Sequence, residues 1–197
     1  MAAPSVSGAA SSGSGGDRPD GDGPVTVRLI RPDEGPRLRD VRLAAIADSP
    51  GTFATDLETA RSRPDDAWVR VAGVHAEADE QATWFAEKEG ATAGMVSAFR
   101  TDDGAVTMTS LWSAPGFRQI GVAEELVGAV RSWAESRQAR EIRQWLVERN
   151  AHARDFHARQ GFVPTGAERR YEPAPELREV ELRLPLADAA TGSEPTA

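Results

Sequence analysis

The chain contains no cysteine. This absence excludes disulfide bonds, thiolate nucleophiles and zinc sites built on cysteine. No run of about 18 apolar residues occurs either, so no segment is predicted to span a membrane. The first segment, "MAAPSVSGAASSGSGGDRPDGDGP", has neither a basic start nor a continuous apolar stretch, so we do not expect a secretory signal there. We therefore expect a cytoplasmic protein that does not act at a membrane.

The charge of the chain is negative, with a formal net charge of −8. Proteins that bind nucleic acid carry basic patches that contact phosphates, so this balance argues against a nucleic-acid partner. Residues 25–117 carry −5, from 10 basic and 15 acidic residues, which mildly favours a cationic small ligand. No His, Asp and Glu residues show the spacing of a metal site, so no metal is expected.

Composition divides the chain into a domain and two tails. Residues 1–24 and 187–197 are rich in Gly, Ser, Ala, Pro and acidic residues. Such segments cannot bury enough apolar surface to become ordered, so both tails are predicted to be disordered. Residues 25–186 lie between them and are predicted to form one domain with a core of its own.

Hydrophobic periodicity predicts the order β α α β β β α β α β β. Period-2 alternation marks "VTVRLIR" as a strand, and helical spacing marks the region after it. The next helical region, "TDLETARSRPDDAWVRVAGVH", contains Pro64, which either breaks it or opens a further turn. Three strand-like runs separated by turn residues then suit an antiparallel meander. This mixed order predicts an α+β or mixed α/β fold with helices packed on the faces of a central sheet.

The stretch "SLWSAPGFRQIGVAEELVGAVRSWAESR" joins a predicted strand to a predicted helix. The helix begins near Val122 without a Ser, Thr, Asp or Asn to cap it, so its first N–H groups have no partner in the sequence pattern. An anion such as a phosphate is a natural partner for such a helix start. Gly121 permits close approach of a ligand to the main chain, and Arg118 can add a charge-assisted contact.

The same stretch resembles the coenzyme A motif of the GNAT superfamily of acyl-CoA-dependent N-acyltransferases, Arg/Gln-x-x-Gly-x-Gly/Ala. The matching residues are Arg118, Gly121 and Ala123. Downstream, "NAHARDFHARQGFVPTG" resembles a second segment of that family, Asn-x-x-Ala-x-x-Leu-Tyr-x-x-x-Gly-Phe. Its matching residues are Asn150, Ala153, Gly161, Phe162, Thr165 and Gly166. Two motifs at the family's separation are more specific than either motif alone.

The resemblance implies a central, mostly antiparallel, splayed sheet flanked by helices, with acetyl-CoA as the acyl-donor co-substrate. The pantetheine arm would lie where strands 106–114 and 141–148 separate, and a backbone N–H near Trp112 or Ser113 would face the thioester oxygen. The diphosphate would lie on the amides that follow Arg118. The implied coenzyme-binding residues are Trp112, Ser113, Arg118, Gln119, Ile120, Gly121, Val122, Ala123 and Asn150.

This sequence departs from the family pattern at several positions. His157 stands where the family often places a Tyr that protonates the leaving thiolate, and it either replaces that acid or is an exposed helix residue without a role. Gln119 and Ile120 stand where the family commonly has Gly and a basic residue; Gln119 is acceptable if its φ stays negative. Asn150 either contacts the coenzyme or caps the following helix.

The remaining candidates are less constrained by the pattern. Glu87 is a candidate general base, and its alternative is a solvated charge on a strand. Trp112 either lines the acceptor groove or belongs to the core. Tyr171, the only tyrosine, is expected in a surface loop.

The resemblance implies an acetyltransferase that acts on a primary amine of a small molecule or peptide by direct attack in a ternary complex. A homodimer is consistent with the family. The alternative is a non-catalytic acyl-CoA-binding or regulatory module with a degenerate site, which the departures at Gln119, Ile120 and His157 would explain.

Overall fold

The computed structural model describes residues 23–53 and 55–186. Apart from Gly23 and Pro24, the predicted tails lie outside these residues. None of the helices described is long and apolar enough to cross a membrane. The strands are Thr26–Leu29 (β1), Gln81–Lys88 (β2), Ala91–Arg100 (β3), Val106–Ser113 (β4), Glu141–Val147 (β5), Val163–Arg170 (β6) and Arg178–Pro185 (β7). The helices are Gly35–Asp48 (α1), Leu57–Ser62 (α2), Asp65–Glu77 (α3), Val122–Ser136 (α4) and Ala151–Arg159 (α5).

The seven strands form one sheet in the order β1-β2-β3-β4-β5-β7-β6. Every neighbouring pair is antiparallel except β4 and β5. These two parallel strands are in register only at Val106–Ile142 and Thr107–Arg143. Because both strands continue well beyond these pairs, they diverge toward their C-terminal ends and open a gap in the middle of the sheet. The predicted mostly antiparallel, splayed sheet flanked by helices is confirmed.

A hydrophobic core lies on each face of the sheet. Successive side chains of a strand point to opposite faces, so Trp84 belongs to one core and Phe85 to the other. Helix α4 buries Leu126 and Val130 in the first core, and α1 buries Leu38 in the second. Each side chain of this kind stabilises the fold by about 1.5–3 kcal/mol when it leaves water. The first core contains residues from both parts of the divided sheet, such as Val106 of β4 and Ile142 of β5, whereas the second contains none from β5 to β7.

The helical region before β2 is interrupted as its proline predicts. The carboxylate of Asp56 accepts a hydrogen bond from the N–H of Thr59 at 2.8 Å and caps α2. Pro64 has an extended conformation and precedes the first residue of α3, so the chain turns between two helices. A proline lacks the N–H that a continuous helix requires, which explains the break.

A β-bulge in β4 changes which face its side chains occupy. Ser110 and Leu111 together lie opposite Val96, since Thr109 pairs with Ser97 and Trp112 with Met95. Ser110 has a left-handed φ of 59°. The extra residue reverses the alternation of the strand, so Trp112 joins the core beneath α1, whereas Met108 before the bulge lies in the other core.

The expectation for Tyr171, which lies between the last two strands, is wrong. Tyr171 was expected on a surface loop, but only 2% of the residue is exposed. Its hydroxyl donates a hydrogen bond to the main-chain oxygen of Phe53, and burial raises the pKa of that hydroxyl. Strand β6 continues to Arg170, further than the predicted segment "GFVPTG", so Tyr171 directly follows a strand and does not lie within a long loop. Tyr171 thereby attaches the end of β6 to the segment between α1 and α2.

Candidate functional site

A cavity of about 530 Å³ lies at the gap between β4 and β5. The C-terminal halves of these strands form two of its walls. The turn before α4 and the first turn of α4 form a third wall, and α5 and the segment after α1 complete it. The splay of the sheet therefore creates a cleft that a ligand can enter between two parallel strands.

The start of α4 presents unsatisfied main-chain donors at this cavity. Gly121 is the N-cap residue, with a left-handed φ of 89° and no side-chain hydrogen bond to the helix. Among the described residues, none accepts a hydrogen bond from the N–H groups between Arg118 and Glu124. These donors and the helix dipole make the start of α4 favourable for an anion.

The structure brings most of the predicted coenzyme-binding residues to this cavity. Ile120 and Gly121 do not line it, and Ile120 is 46% exposed. Gln119 was acceptable in the motif only with a negative φ, and its φ is 66°, so this condition is not met. Gln119 and Gly121 both have a left-handed φ in the segment that leads from the 3-10 turn Pro115–Phe117 into α4. The lining residues predicted from the sequence are Trp112, Ser113, Arg118, Gln119, Val122, Ala123, Asn150 and His157.

Arg118 and Trp112 share one carboxylate at the rim of the cavity. The indole Nε1 of Trp112 donates to Asp48 Oδ2 at 2.9 Å, and the Arg118 guanidinium is bonded to the same oxygen. Burial alone would raise the pKa of Asp48, but the hydrogen bonds from Trp112 and Ser49 and the charge of Arg118 lower it. Trp112 is thus a core residue, as one of the two alternatives predicted, and it also lines the cavity.

The main chain of Ser113 faces the gap between β4 and β5. Its carbonyl oxygen accepts a hydrogen bond from Arg118 Nε at 3.2 Å. The next residue, Ala114, instead donates its N–H to Ala93 on the β3 side. Because the N–H and C=O of one strand residue point the same way, the N–H of Ser113 also points into the gap.

Asn150 performs the capping role considered for it. Its side-chain oxygen accepts a hydrogen bond from the N–H of Ala153 at 3.1 Å at the start of α5. The residue also lines the cavity. The cap fixes the direction in which α5 leaves β5.

His157 is buried, so the alternative of an exposed helix residue is wrong; only 3% of the residue is exposed. Its Nδ1 lies 2.8 Å from the main-chain oxygen of Ala153, which can only accept, so Nδ1 carries the proton. Nε2 is buried without a partner among the described residues. Burial lowers the pKa of the ring, although the bond to Ala153 opposes this shift. Burial and the lowered pKa both favour the neutral form of the ring, which weighs against a role as the acid.

Glu87 lies away from the cavity in an ion-pair network. Its Oε1 is 2.8 Å from Arg28 Nη2 and 2.7 Å from Arg37 Nη1. The hydrogen bond from Arg28 is the main reason that the pKa of Glu87 is lowered, with Arg37 adding to it. A carboxylate held by two guanidinium groups is a weak base, and Glu87 does not line the cavity. The arrangement disfavours Glu87 as the general base.

The sequence analysis missed Arg42, which lies behind the wall of the cavity. Its Nη1 donates to Ser110 Oγ, and its guanidinium carbon is 4.8 Å from the centroid of the Phe53 ring. Burial, assisted by the positive charge of Arg63, lowers the pKa of Arg42 to about 10. The available signal was its position on α1, four residues after Leu38 and three before Ala45, on the buried face of the helix.

Comparisons with known proteins agree with this geometry. The acetyltransferase (GNAT) family model matches residues 44–162. An aminoglycoside N(6')-acetyltransferase type 1 of Salmonella typhimurium is 28% identical over 110 residues, which cover 52% of this chain and 76% of that relative. An acetyltransferase of the GNAT family from Streptococcus pneumoniae has a TM-score of 0.71 at 16% identity, covering 83% of this chain and 100% of that one. The yncA structure of Salmonella typhimurium, solved with its cofactor acetyl-CoA, has a TM-score of 0.67 at 15% identity, covering 88% and 99%.

Proposed function

Because this chain belongs to the acetyltransferase (GNAT) family, we propose that it transfers an acetyl group from acetyl-CoA to an amine. The acceptor is a primary amine of a small molecule or peptide, and it attacks while both substrates are bound. The observation that carries this proposal is the row of unsatisfied N–H groups at the start of α4, beside a gap between two parallel strands. A phosphate-bearing donor with a long flexible arm fits both features.

The residues of the turn and of β4 have separate roles in this proposal. The N–H groups from Gln119 to Ala123 bind the diphosphate, and the exposed edges of β4 and β5 pair with the arm. The N–H of Ser113 donates to the thioester carbonyl oxygen, which gains negative charge during attack. A preorganised donor of this kind lowers the barrier by about 2.7–4 kcal/mol.

The chemistry requires one bond to form, one to break and one proton to move. Acetyl-CoA supplies the acetyl thioester when bound. The nitrogen–carbon bond forms, the carbon–sulfur bond breaks, and the proton lost by the amine balances the one gained by the thiolate. A thiol has a pKa of about 8.5, so the thiolate leaves without an obligatory acid. Because the leaving thiolate does not require an acid, a neutral, buried His157 is compatible with the reaction.

A thiol-release assay tests the proposal directly. The protein has no cysteine, so a thiol reagent detects coenzyme A without background from the protein. With acetyl-CoA and a panel of amines, we expect thiol release that depends on both substrates and reaches saturation. Calorimetry with acetyl-CoA alone measures donor binding separately.

Two variants of α4 test the diphosphate site. Ala123→Asp places a carboxylate where the helix dipole favours it but where it repels a diphosphate, so we expect a folded protein that binds acetyl-CoA at least tenfold more weakly. Gly128→Asp adds the same charge at an exposed position of the same helix and is the matched control. Equal affinity of both variants and the wild type would refute the site.

A non-catalytic acyl-CoA-binding module is the second candidate function. The left-handed Gln119 and the exposed Ile120 favour it, because both replace residues that strengthen coenzyme binding in the family pattern. Donor binding without thiol release across a broad amine panel would support this second candidate.

A further inference from the structure

Arg42 is an arginine with a positive neighbour and no counter-ion in the described part of the chain. None of the ion pairs of residues 23–53 and 55–186 includes it. Its partners among the described residues are the hydroxyl of Ser110 and the ring of Phe53, neither of which carries charge. A guanidinium has five N–H donors, so one bond to a hydroxyl uses a small part of its capacity.

The partners of Arg42 both line the cavity. Ser110 is the left-handed residue of the β4 bulge, and Phe53 lies in the segment after α1. The carboxylate of Asp48 at the rim is already bonded to Arg118 and Trp112. The charge beside Ser110 and Phe53 is therefore positive, although residues 25–117 are acidic as a whole.

Burial of a cation without a counter-ion is unfavourable, and a bound anion would remove that cost. We propose that the acceptor amine also carries a carboxylate, and that Arg42 together with Ser110 binds this carboxylate. The inference rests on the proposed acetyl transfer and names its substrate class: amino acids and related amines rather than polycations. It replaces the cationic acceptor that the net charge of residues 25–117 favoured.

The distance along β4 is consistent with such an acceptor. Ser110 precedes Ser113 by three residues, which corresponds to roughly 10 Å in an extended strand and less across a bulge. The amine would lie near Ser113, where the thioester carbonyl is proposed to bind. The guanidinium of Arg42 reaches Ser110 in the cavity wall from α1, so the amine and the carboxylate of a bound acceptor would lie about 10 Å apart or less. Phe53 and Trp112 offer apolar surface to the remainder of the molecule.

Matched pairs of acceptors test the proposal. Free L-amino acids and 4-aminobutyrate are each compared with their uncharged carboxamides, and kanamycin serves as a polycation. The kcat/KM values are corrected for the fraction of unprotonated amine. We expect the wild type to favour at least one carboxylate acceptor over its amide by tenfold or more, and to acetylate kanamycin poorly.

The variant Arg42→Gln should reduce this preference to about twofold or less by raising KM, and Arg42→Lys should retain part of it. Arg39→Gln, on the same helix but paired with Asp40 and Asp65, is the control and should keep the preference. Calorimetric affinity for acetyl-CoA should be the same in all these proteins, which also reports that they are folded.

Two outcomes separate this inference from the proposed function. Thiol release that is equal for carboxylates and amides, or highest for kanamycin, overturns the inference and leaves acetyl transfer intact. If no acceptor releases thiol, calorimetry with coenzyme A bound measures the affinity for two possible products. One is N-acetylphenylalanine, which has a carboxylate, and the other is its uncharged amide, N-acetylphenylalaninamide. Binding that requires both the carboxylate and Arg42 supports the inference without turnover, and equal or absent binding of the two products overturns it.

Discussion

At the residue scale, Gln119 occupies a backbone conformation that suits glycine. Its φ of 66° costs a residue with a Cβ about 1–2 kcal/mol, and its side chain lies at the wall where the diphosphate is proposed to bind. We expect Gln119→Gly to leave the free energy of unfolding unchanged or to raise it by up to about 1 kcal/mol. Its affinity for acetyl-CoA should increase because the amide becomes more accessible. Denaturant titration and calorimetry measure the two quantities.

The chain provides a matched control for this change. Gln138 has a φ of 58° in the connection between α4 and β5, and it does not line the cavity. Gln138→Gly should relieve the same backbone cost without any effect on acetyl-CoA affinity. If both variants changed affinity equally, the effect would be general rather than local to the turn.

The burial of His157 leads to a prediction of how the free energy of unfolding depends on pH. Because burial lowers its pKa in the folded protein, the unfolded chain takes up the proton first as the pH falls, so folding loses stability below about pH 6.5. His157→Gln should remove this component from a plot of unfolding free energy against pH. His152→Gln, at an exposed cavity position, is the control.

The same variants decide whether His157 supplies a proton. If the buried ring is structural, the pH profile of kcat/KM in His157→Gln keeps the shape of the wild-type profile, even where the protein is less stable. Loss of one limb of that profile in His157→Gln but not in His152→Gln would assign the proton-donating role to His157 after all.

At the element scale, most helices and strands could be predicted, because their periodicity and their breakers are local. Pro64 predicts the break between α2 and α3, and Gly161 predicts the end of α5. The bulge in β4 could not be predicted, since Ser110 is an ordinary strand residue and its left-handed φ depends on the pairing with β3. The face occupied by Trp112 follows from that bulge. Burial of Tyr171 depends on a contact with Phe53 that is distant in the sequence.

The ion pairs that join β1, α1 and β2 predict a response to acid. The hydrogen bond from Arg28 lowers the pKa of Glu34 to about 2, despite the opposing effect of burial. A lowered carboxyl pKa means that its stabilising contribution is present above the unfolded value near 4.5 and is lost as the pH falls toward 2. In Glu34→Gln the free energy of unfolding should therefore fall less steeply between pH 4.5 and pH 2 than in the wild type.

Asp33→Asn is the control for that titration. It removes a carboxylate from the neighbouring exposed position, which forms none of the ion pairs of the described residues. The wild type and Asp33→Asn should give parallel curves between pH 4.5 and pH 2. Parallel curves for Glu34→Gln would show that the network does not act as the contacts indicate.

At the scale of the whole molecule, the candidate site lies where the two parts of the sheet separate. Strands β1 to β4 form one part and β5 to β7 the other, and the two parts pair at only two residue positions. The sequence motifs located the turn before α4 and the start of α5, because both carry local signals. The contact of Arg42 with Ser110 behind the cavity wall could not be predicted from the sequence, since it joins α1 to the bulge of β4.

A ligand in that gap should connect the two parts of the sheet. We expect acetyl-CoA to slow amide hydrogen exchange in peptides that cover the start of α4, β4 and β5, because bound N–H groups must be released before they can exchange. Exchange in β1 and β2 should change little, since both strands lie away from the gap. Mass spectrometry at an acetyl-CoA concentration about ten times the wild-type Kd measures this pattern, with Ala123→Asp as the control in which protection should be clearly reduced. Protection confined to α1 to α3, with none at the start of α4, would move the donor site elsewhere.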